Sequence, residues 1–580
     1  MKLRQMITAF AVLALAIFVI PAYVDASTDL DAMLEGNVIT LTKNVTLTEK
    51  YVIPEGTTRT IDLNGYTLTG PSDNYTIENK GTLTIVDNGA TKGKIVGVAP
   101  SSSNIRNLGT LKVDGVTIES TFISIKNDSE GEFYGNLTVE NSTITSNYQG
   151  TDTGAIMNWA SATINNSTIS NSGVAIYSTS GGDSEDNLKN STITINNSSL
   201  TGSKYALYSR RDNTVPNTTS TQKVTVNGGT ISGRFSAASN GGSDAAITGN
   251  VKVDNTTKYT LSDVLGRASS GANVTLTTDL TNENITVPEG VTLTIAKGAT
   301  YRVSSSRRLT VEGDLVIEGT IDAAALVEDT NIYFGTLANA VKLIGDGHNV
   351  VVMKDVTENT ITPYANKDIT IDLNGNSVTA NVTNVAGTTL TLKDASLDGT
   401  GSLEGVITNN GTLIIESGKY SSLPTTDAAA TTTINGGTYP IAYKDQVIIT
   451  EDQEIVENAD GTFTVRYKKA DYSEVDKAIA KAESLNKADY KDFSLVEAAI
   501  NNVVRDKDIT EQAIVDAYAQ AIYDAIASLE LKEEATNPNT SDNIMMYVVT
   551  ATVATIGMGA TIISRRSWKI KRKKRKSQGK

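Results

Sequence analysis

A short pattern of alternating apolar residues returns along the first half of the chain at nearly regular intervals. Each copy has apolar residues at every second position, then a turn with Asn, Asp or Gly, then Thr or Ser before another apolar residue. Copies lie at 111–118, 137–144, 164–169, 193–200 and 224–231. Their last apolar residues are spaced 25 to 31 residues apart. A repeat of that length, built from one strand, a turn and a second strand, is typical of a solenoid.

The residue types within this repeat favour a right-handed parallel β-helix. Strand alternation directs Val, Ile and Leu inward, while Asn and Gly at the corners tolerate left-handed backbone conformations. Stacked Asn side chains can also form hydrogen bonds from coil to coil along the axis. An array of β-sandwiches is the alternative, which the short spacing and the absence of core Trp disfavour. We therefore expect a mainly β chain.

A larger repeat is superimposed on the coils. Short amphipathic segments at 30–34, 261–265 and 337–344 each precede a series of strand-like segments. Because the open end of a β-helix would pair with other chains, a short helix there would act as a cap. We therefore predict three capped β-helix units, covering residues 27–255, 256–325 and 326–467.

The sequence Ile-Asp-Leu-Asn-Gly occurs twice, at 61–65 and at 371–375, each time after a predicted cap and strands. Together with these segments it resembles the pectate-lyase-like β-helix modules of bacterial surface proteins. That resemblance implies an adhesive role for the β-helix. It also brings in polysaccharide lyases and glycoside hydrolases, since the same fold carries such enzymes.

The composition changes to Ala, Lys, Asp and Glu from Asp471 onward. Apolar residues recur there at helical spacing in three segments. Ser494 and Glu497 have the spacing of a capping box. These features predict a small three-helix bundle over 470–531. The segment resembles the FIVAR-type modules of Gram-positive surface proteins, which implies a stalk or a glycan- or protein-binding module.

The N-terminus has the layout of a secretory signal peptide. Lys2 and Arg4 precede an apolar run at 6–20, and small residues follow at the positions that signal peptidase recognises. We therefore predict a signal peptide over 1–26 with cleavage after Ala26. A membrane anchor is the alternative, which the short apolar run disfavours.

Three segments follow one another at the C-terminus. A linker at 532–542 precedes an uncharged segment at 544–563 and a basic tail at 564–580. The uncharged segment is long enough for one transmembrane helix, and its basic flank places the tail in the cytoplasm. The linker contains the pentapeptide Asn537, Pro538, Asn539, Thr540 and Ser541.

This order of segments resembles the sorting signal of Gram-positive surface proteins, and the pentapeptide looks like an NPxT-type variant of the LPxTG motif. The resemblance implies that a sortase cleaves after Thr540 and joins it covalently to peptidoglycan. Asn537 and Ser541 replace the Leu and Gly of LPxTG, which leaves the class of sortase open. A plain membrane anchor is the alternative. The expected location is extracellular, on the cell wall, with membrane contact only transiently through the C-terminal helix.

The composition excludes several classes of chemistry. The chain has no Cys, which excludes disulfide scaffolds, cysteine zinc sites and thiol catalysis. With a single His, a His-cluster metal site is excluded and a Ser-His-Asp triad is disfavoured. The net charge of −15 argues against nucleic acid as a partner. The sequence indicates no metal site and no cofactor, and leaves calcium between coils open.

An enzyme of the β-helix fold would need clustered carboxylates and a basic residue. Asp183, Glu185 and Asp186 lie on one loop, and Arg210 to Asp212 follow about one coil later. Ordinary solvated charges on a loop are the favoured interpretation. We therefore assign no catalytic residue, and treat a polysaccharide lyase or glycoside hydrolase as the alternative to a non-catalytic adhesin.

Aromatic residues concentrate in the first predicted unit. Aromatic rings together with Asn and Thr suit stacking on sugars. Rings that fill the corners of coils are the competing interpretation for each residue. The predicted ligand face for a glycan or a host or matrix protein comprises Trp159, Tyr177, Tyr205 and Tyr208.

Overall fold

A computed structural model describes residues 30–532 apart from 181–188, 211–220, 238–242, 255–256 and 282. The predicted signal peptide with Ala26, the sorting motif at 537–541, the segment at 544–563 and the basic tail lie outside these residues. Of the predicted linker, only Lys532 is described. No helix among the described residues has the length and apolar character needed to cross a membrane.

The predicted parallel β-helix is confirmed, since the chain forms a mainly β solenoid of about 15 turns. Each early coil contributes one strand to each of three parallel sheets, and β1 and the hairpin of β14 and β15 are the antiparallel exceptions. The strands up to residue 179 are Leu34–Glu35 (β1), Val38–Thr40 (β2), Val45–Thr46 (β3), Tyr51–Ile53 (β4), Thr58–Asp62 (β5), Thr67–Thr69 (β6), Ile77–Asn79 (β7), Thr82–Val86 (β8), Lys94–Gly97 (β9), Ile105–Asn107 (β10), Thr110–Asp114 (β11), Thr117–Ser120 (β12), Ile125–Asn127 (β13), Ser129–Glu130 (β14), Phe133–Tyr134 (β15), Asn136–Glu140 (β16), Thr143–Ser146 (β17), Ile156–Asn158 (β18), Ser161–Asn165 (β19), Thr168–Asn171 (β20) and Val174–Thr179 (β21).

The middle of the chain continues the solenoid with longer strands, some of which bend through more than one sheet. Its elements are Ser191–Arg210 (β22), Gln222–Ala237 (β23), Ser243–Asp254 (β24), Thr260–Leu265 (α1), Asn273–Leu276 (β25), Leu280–Thr281 (β26), Ile285–Val287 (β27), Thr292–Ile295 (β28), Thr300–Arg302 (β29), Arg308–Val311 (β30), Asp314–Ile317 (β31), Thr320–Asp322 (β32), Ala325–Val327 (β33) and Ile332–Phe334 (β34).

A second run of coils follows, joined to the first through the antiparallel strands β33 and β34. Its elements are Leu337–Leu343 (α2), His348–Val352 (β35), Val356–Ile361 (β36), Asp368–Asp372 (β37), Ser377–Asn384 (β38), Thr389–Lys393 (β39), Ser402–Glu404 (β40), Ile407–Asn409 (β41), Thr412–Ile415 (β42), Lys419–Tyr420 (β43), Thr425–Thr426 (β44), Thr431–Ile434 (β45), Gly437–Pro440 (β46), Gln453–Glu457 (β47) and Thr462–Tyr467 (β48).

The repeat seen in the sequence is a stack of the second sheet. Its last apolar residues pair with one another in register from coil to coil, and none is more than 1% exposed. Identical or similar side chains therefore lie directly above one another inside the solenoid. The stacked residues are Ile118, Ile144, Ile169, Leu200 and Ile231.

Two clusters of buried apolar residues fill the solenoid. The first runs from Leu30 to Tyr333 and passes through the first and second predicted units without a break. The second runs from Ala324 to Val465 and fills the third predicted unit. Because the core is continuous along each cluster, each coil is stabilised mainly by the coils directly above and below it.

The coil-to-coil ladder expected for Asn is present inside the solenoid. Asn79 donates to Asn107 over 2.7 Å, Asn107 to Asn127 over 2.7 Å, and Asn127 to Asn158 over 2.8 Å. All four residues are 0% exposed. Since a buried amide without a partner is costly, each member of the ladder depends on the next.

Replacing Asn127 by Ala should destabilise the chain by about 1–3 kcal/mol, because it removes partners from two buried amides. Asn196 is the matched control, since it belongs to a similar ladder with Asn165 and Asn227 but is partly exposed. Water can replace its bonds, so Asn196→Ala should cost less. Denaturant unfolding of the full chain measures both variants. Equal losses would show that burial of the ladder does not matter.

The repeated Ile-Asp-Leu-Asn-Gly sequence forms the same corner twice. Asn64 and Gly65 have positive φ angles of 47° and 85°, and the equivalent pair, Asn374 and Gly375, has 47° and 78°. In each corner an aspartate of the next coil, Asp87 or Asp394, accepts the glycine N–H. The motif is therefore a tight turn that hydrogen bonds hold against the following coil.

Because an aspartate carboxylate accepts these bonds, the stability of the corner depends on pH. Burial raises the pKa of Asp394, but hydrogen bonds from Ser396, Gly375 and Gly401 outweigh it and hold the pKa below its ordinary value of 3.8. A carboxyl with a depressed folded-state pKa stabilises the fold above its unfolded pKa, and this stabilisation is lost as pH falls through the lower folded value.

Asp394→Asn should therefore lower the stability of the chain at neutral pH, and its difference from the parent should shrink as pH falls below the ordinary aspartate pKa. Unfolding midpoints measured across the acidic range provide the comparison. Asp73→Asn is the control, since Asp73 is exposed. A difference from the parent that stays constant down to low pH would contradict this account.

Short helices lie at all three places where the sequence predicts caps, at residues 30–32 and in α1 and α2. A glutamate from the following coil accepts N–H groups at the start of the two later helices. Glu283 binds the N–H of Tyr259 beside α1, and Glu358 binds the N–H groups of Leu337 and Ala338 in α2. These bonds satisfy donors that a helix start leaves free.

The segment after Ala470 belongs to a separate compact unit, and its described residues form three α-helices. They are Ser473–Glu483 (α3), Ser494–Asn501 (α4) and Gln512–Ala527 (α5), and α5 packs against both others. Their contacts bury Val475, Ala478, Ala482, Val496, Val515, Ala519 and Ile522.

The capping box predicted at Ser494 is wrong. Ser494 is the first helical residue of α4, and the preceding Phe493 makes no side-chain cap bond. Asp492 accepts the N–H of Ser494 over 2.8 Å instead, and Asp471 accepts the N–H of Ser473 over 2.9 Å at the start of α3. An aspartate two residues earlier is thus the N-terminal signal in both helices.

Candidate ligand face on the third sheet

One row of side chains points outward along the third sheet. The short strands of this sheet turn their first and last residues into the core, so the residue between them faces out. Successive residues of the row are paired in parallel register and lie about 4.8 Å apart. The third-sheet row is Glu78, Arg106, Lys126, Met157, Tyr177 and Tyr208.

The first half of the row is a network of charges. Arg106 lies 2.8 Å from Asp128 and 3.7 Å from Glu78, and Lys126 lies 2.9 Å from Asp128. Lys50 also contacts Glu78. The side chains of Glu78 and Asp128 are only 6% exposed, so their pairing offsets the cost of burying charge. We name these five residues the charged half.

The last two residues of the row, Tyr177 and Tyr208, are aromatic. The rings of Tyr177 and Tyr208 lie 5.6 Å apart, and those of Tyr205 and Tyr208 lie 4.8 Å apart. Arg210 lies over the ring of Tyr177 at 5.6 Å. The structure therefore brings three of the four predicted ligand-face residues together, and we name them the tyrosine half.

The three tyrosine rings differ in how far they are exposed to solvent. Tyr177 is 3% exposed, whereas Tyr205 and Tyr208 are half-buried. Tyr177 therefore supports its neighbours, while the other two rings offer surface to a ligand. Trp159, the fourth predicted residue, lies beside the charged half, with Lys126 5.9 Å from its ring centre.

Arg234 connects the tyrosine half to α1. Its guanidinium lies 5.4 Å from the ring centres of Tyr205 and Tyr259, and it forms an ion pair with Asp263 at 3.2 Å. Burial raises the pKa of Asp263, although Arg234 acts in the opposite direction. The guanidinium is attracted to both rings, so it links Tyr205 to the residue that precedes α1.

A recess of about 310 Å³ lies where the row reaches α1. Ser236 pairs in register with Tyr208, so the recess continues the row by one coil. Its polar groups can exchange hydrogen bonds with hydroxyl groups of a ligand, and the guanidinium of Arg267 adds positive charge. The recess is lined by Phe235, Ser236, Ser262, Asp263, Gly266 and Arg267.

The charged loop residues that were considered for catalysis are mostly not described by the structure. Asp183, Glu185, Asp186, Arg211 and Asp212 lie outside the described residues. Arg210 lies beside the tyrosine half, over the ring of Tyr177. Over the ranges that the structure describes, no group of three or more acidic or His side chains could hold a metal ion.

The sequence analysis did not predict the charged half, although a sequence pattern indicates its outward-facing residues. Four strands of the third sheet share the pattern Ile-x-Asn, in which Ile packs in the core and Asn forms the buried ladder. The variable residue is therefore the outward one. In chain order it is Glu78, Arg106, Lys126 and Met157.

Comparison of the chain with protein-family models, with curated proteins and with solved structures finds no match.

Proposed function

We propose that this chain is a cell-wall-anchored surface protein of a Gram-positive cell that binds glycans through the tyrosine half of its third-sheet row. The observation that carries the proposal is the close grouping of Tyr177, Tyr205 and Tyr208 beside Arg210. Sugar rings present apolar C–H faces that stack on aromatic rings, and their hydroxyl groups accept hydrogen bonds from guanidinium groups.

The regular rise of the row favours an extended ligand. Tyr177, Tyr208 and Ser236 follow one another by one coil each, along the solenoid axis. A linear glycan laid along this axis would meet ring faces first and the recess beside α1 afterwards. Binding over several coils provides affinity from many weak contacts.

We propose binding rather than cleavage at this face. In the charged half, Glu78 and Asp128 both contact cations, and Arg106 lies between them. A general base must be available to take a proton from the substrate. Carboxylates held in ion pairs suit a structural support for the face better than proton transfer.

Tyr208→Ala should weaken glycan binding about tenfold, because it removes a central ring with little change to the core. Tyr364→Ala is the matched control, since Tyr364 is 51% exposed and contacts Lys342 and Lys367 on the second run of coils. A glycan array probed with cells that display the full chain measures both. Equal binding by the parent and Tyr208→Ala would contradict the proposal.

Export and anchoring complete the proposal and are supported by the sequence alone. The signal peptide at 1–26 would direct secretion, and a sortase would join Thr540 to peptidoglycan after cleaving the sorting motif. The helical segment at 470–531 would then act as a FIVAR-like spacer between the wall and a right-handed β-helix.

Thr540→Ala should move the protein from the wall fraction to the membrane or the medium, because the residue that a sortase would link is altered. Ser541→Gly is the control, since it restores the residue of the LPxTG motif at the fifth position and should preserve anchoring. Immunodetection in muralytic and membrane fractions distinguishes the outcomes. Wall attachment of Thr540→Ala at the parental level would refute sortase linkage.

A further inference from the structure

The second sheet of the first run of coils ends at an open edge. Its last strand, β31, pairs with β28 and with no other strand among those that the structure describes. The N–H groups of Asp314 and Glu318 bind the carbonyls of Val291 and Ile295 in the preceding coil. Because parallel ladders alternate, the N–H and C=O groups of Leu315 and Ile317 point to the open side.

The same edge exposes apolar side chains. Ile317 stacks on the buried Ile295 but is itself 50% exposed, since no further coil covers it. Val316 is 42% exposed. An edge with free backbone groups and exposed apolar side chains is a template for another strand, and proteins usually protect such edges.

Neighbouring edges are protected in ways that β31 lacks. Asp322 in the edge strand β32 forms ion pairs with Arg302 and Lys354. At the start of the second run of coils, α2 packs against the edge strand β36. The antiparallel strands β47 and β48 close the far end against β46. Charges or covering elements thus block strand addition at these three places.

Carboxylates surround the open edge. Glu312 and Asp314 precede the exposed residues of β31, Glu318 follows them, and all three are exposed. In the described part of the chain, none of their side chains forms an ion pair or a hydrogen bond. A partner strand with positive charges at its ends would complement them.

We propose that β31 is a docking edge for an extended peptide segment of a partner protein, apolar in its middle and carrying Lys or Arg at its ends. The segment would add to the second sheet as a further strand. Its backbone would bond to Leu315 and Ile317, and its cations would lie near Glu312, Asp314 and Glu318. Strand addition of this kind combines main-chain affinity with side-chain selection.

A second copy of this chain fits the edge less well. The first strand of the same sheet, β3, has Val45 only 3% exposed, and the adjoining Leu47 is 2% exposed. The first strand of the first sheet, β2, is paired with β1. The apolar side chains at β3 are thus covered and β2 already has a partner strand, so an extended segment of another protein is the favoured occupant.

The probe is a synthetic peptide with Lys at both ends and alternating Val and Thr between them, added to the full chain purified in detergent. Binding is measured by fluorescence anisotropy. The variant Glu312→Lys, Asp314→Lys, Glu318→Lys should bind about tenfold more weakly, because its charges repel the peptide. The control variant Glu35→Lys, Glu49→Lys, Glu55→Lys has the same net charge but changes exposed residues at the start of the solenoid. It should bind as the parent does.

Hydrogen exchange provides the backbone readout. The peptide should slow exchange at the amides of Leu315 and Ile317, and a peptide with N-methylated Val should neither bind nor slow exchange. Equal weakening by both triple variants would show non-specific attraction and overturn the proposal. Absence of peptide binding would overturn it as well. Self-association of the parent chain that the edge variant loses would assign the edge to a second copy instead.

Discussion

The parallel, in-register stacking of one coil on the next is the interaction on which the rest of this structure depends. It places Ile118 on Ile144 and Ile144 on Ile169, and it lines up Asn79, Asn107, Asn127 and Asn158 into one buried ladder. Each coil therefore supplies both the apolar surface and the hydrogen-bond partners that the next coil needs. Since no single coil can satisfy these groups alone, stability accumulates along the axis.

The same stacking creates the candidate site. A residue that faces outward in one coil is repeated about 4.8 Å further along in the next, so side chains distant in sequence form a continuous row. Tyr177 and Tyr208 are 31 positions apart, and their rings nevertheless lie 5.6 Å from each other. Where stacking stops, as at β31, the last strand leaves backbone groups without partner strands and apolar side chains exposed.

Some features of the structure could be predicted from the sequence and others could not. The repeat predicted the β-helix and the buried apolar positions, because these follow from strand alternation. It also predicted stacking of Asn from coil to coil, which the ladder of Asn165, Asn196 and Asn227 shows. It did not predict Arg106 between Glu78 and Asp128, since the three residues lie in different coils and the loops between coils vary in length. The capping box at Ser494 failed because Asp492 and Asp471 reach the helix starts from two residues earlier.

The sequence by itself determined the solenoid, through periodic apolar residues and turn residues that tolerate positive φ angles. The features from which export and wall attachment are predicted also lie in the sequence alone, and both remain predictions. Only the tertiary structure decided which aromatic residues meet, that Tyr177 is covered while Tyr208 is accessible, and that β31 is left unpaired. Such facts depend on the register between coils, and register is set by loop lengths and packing rather than by local sequence.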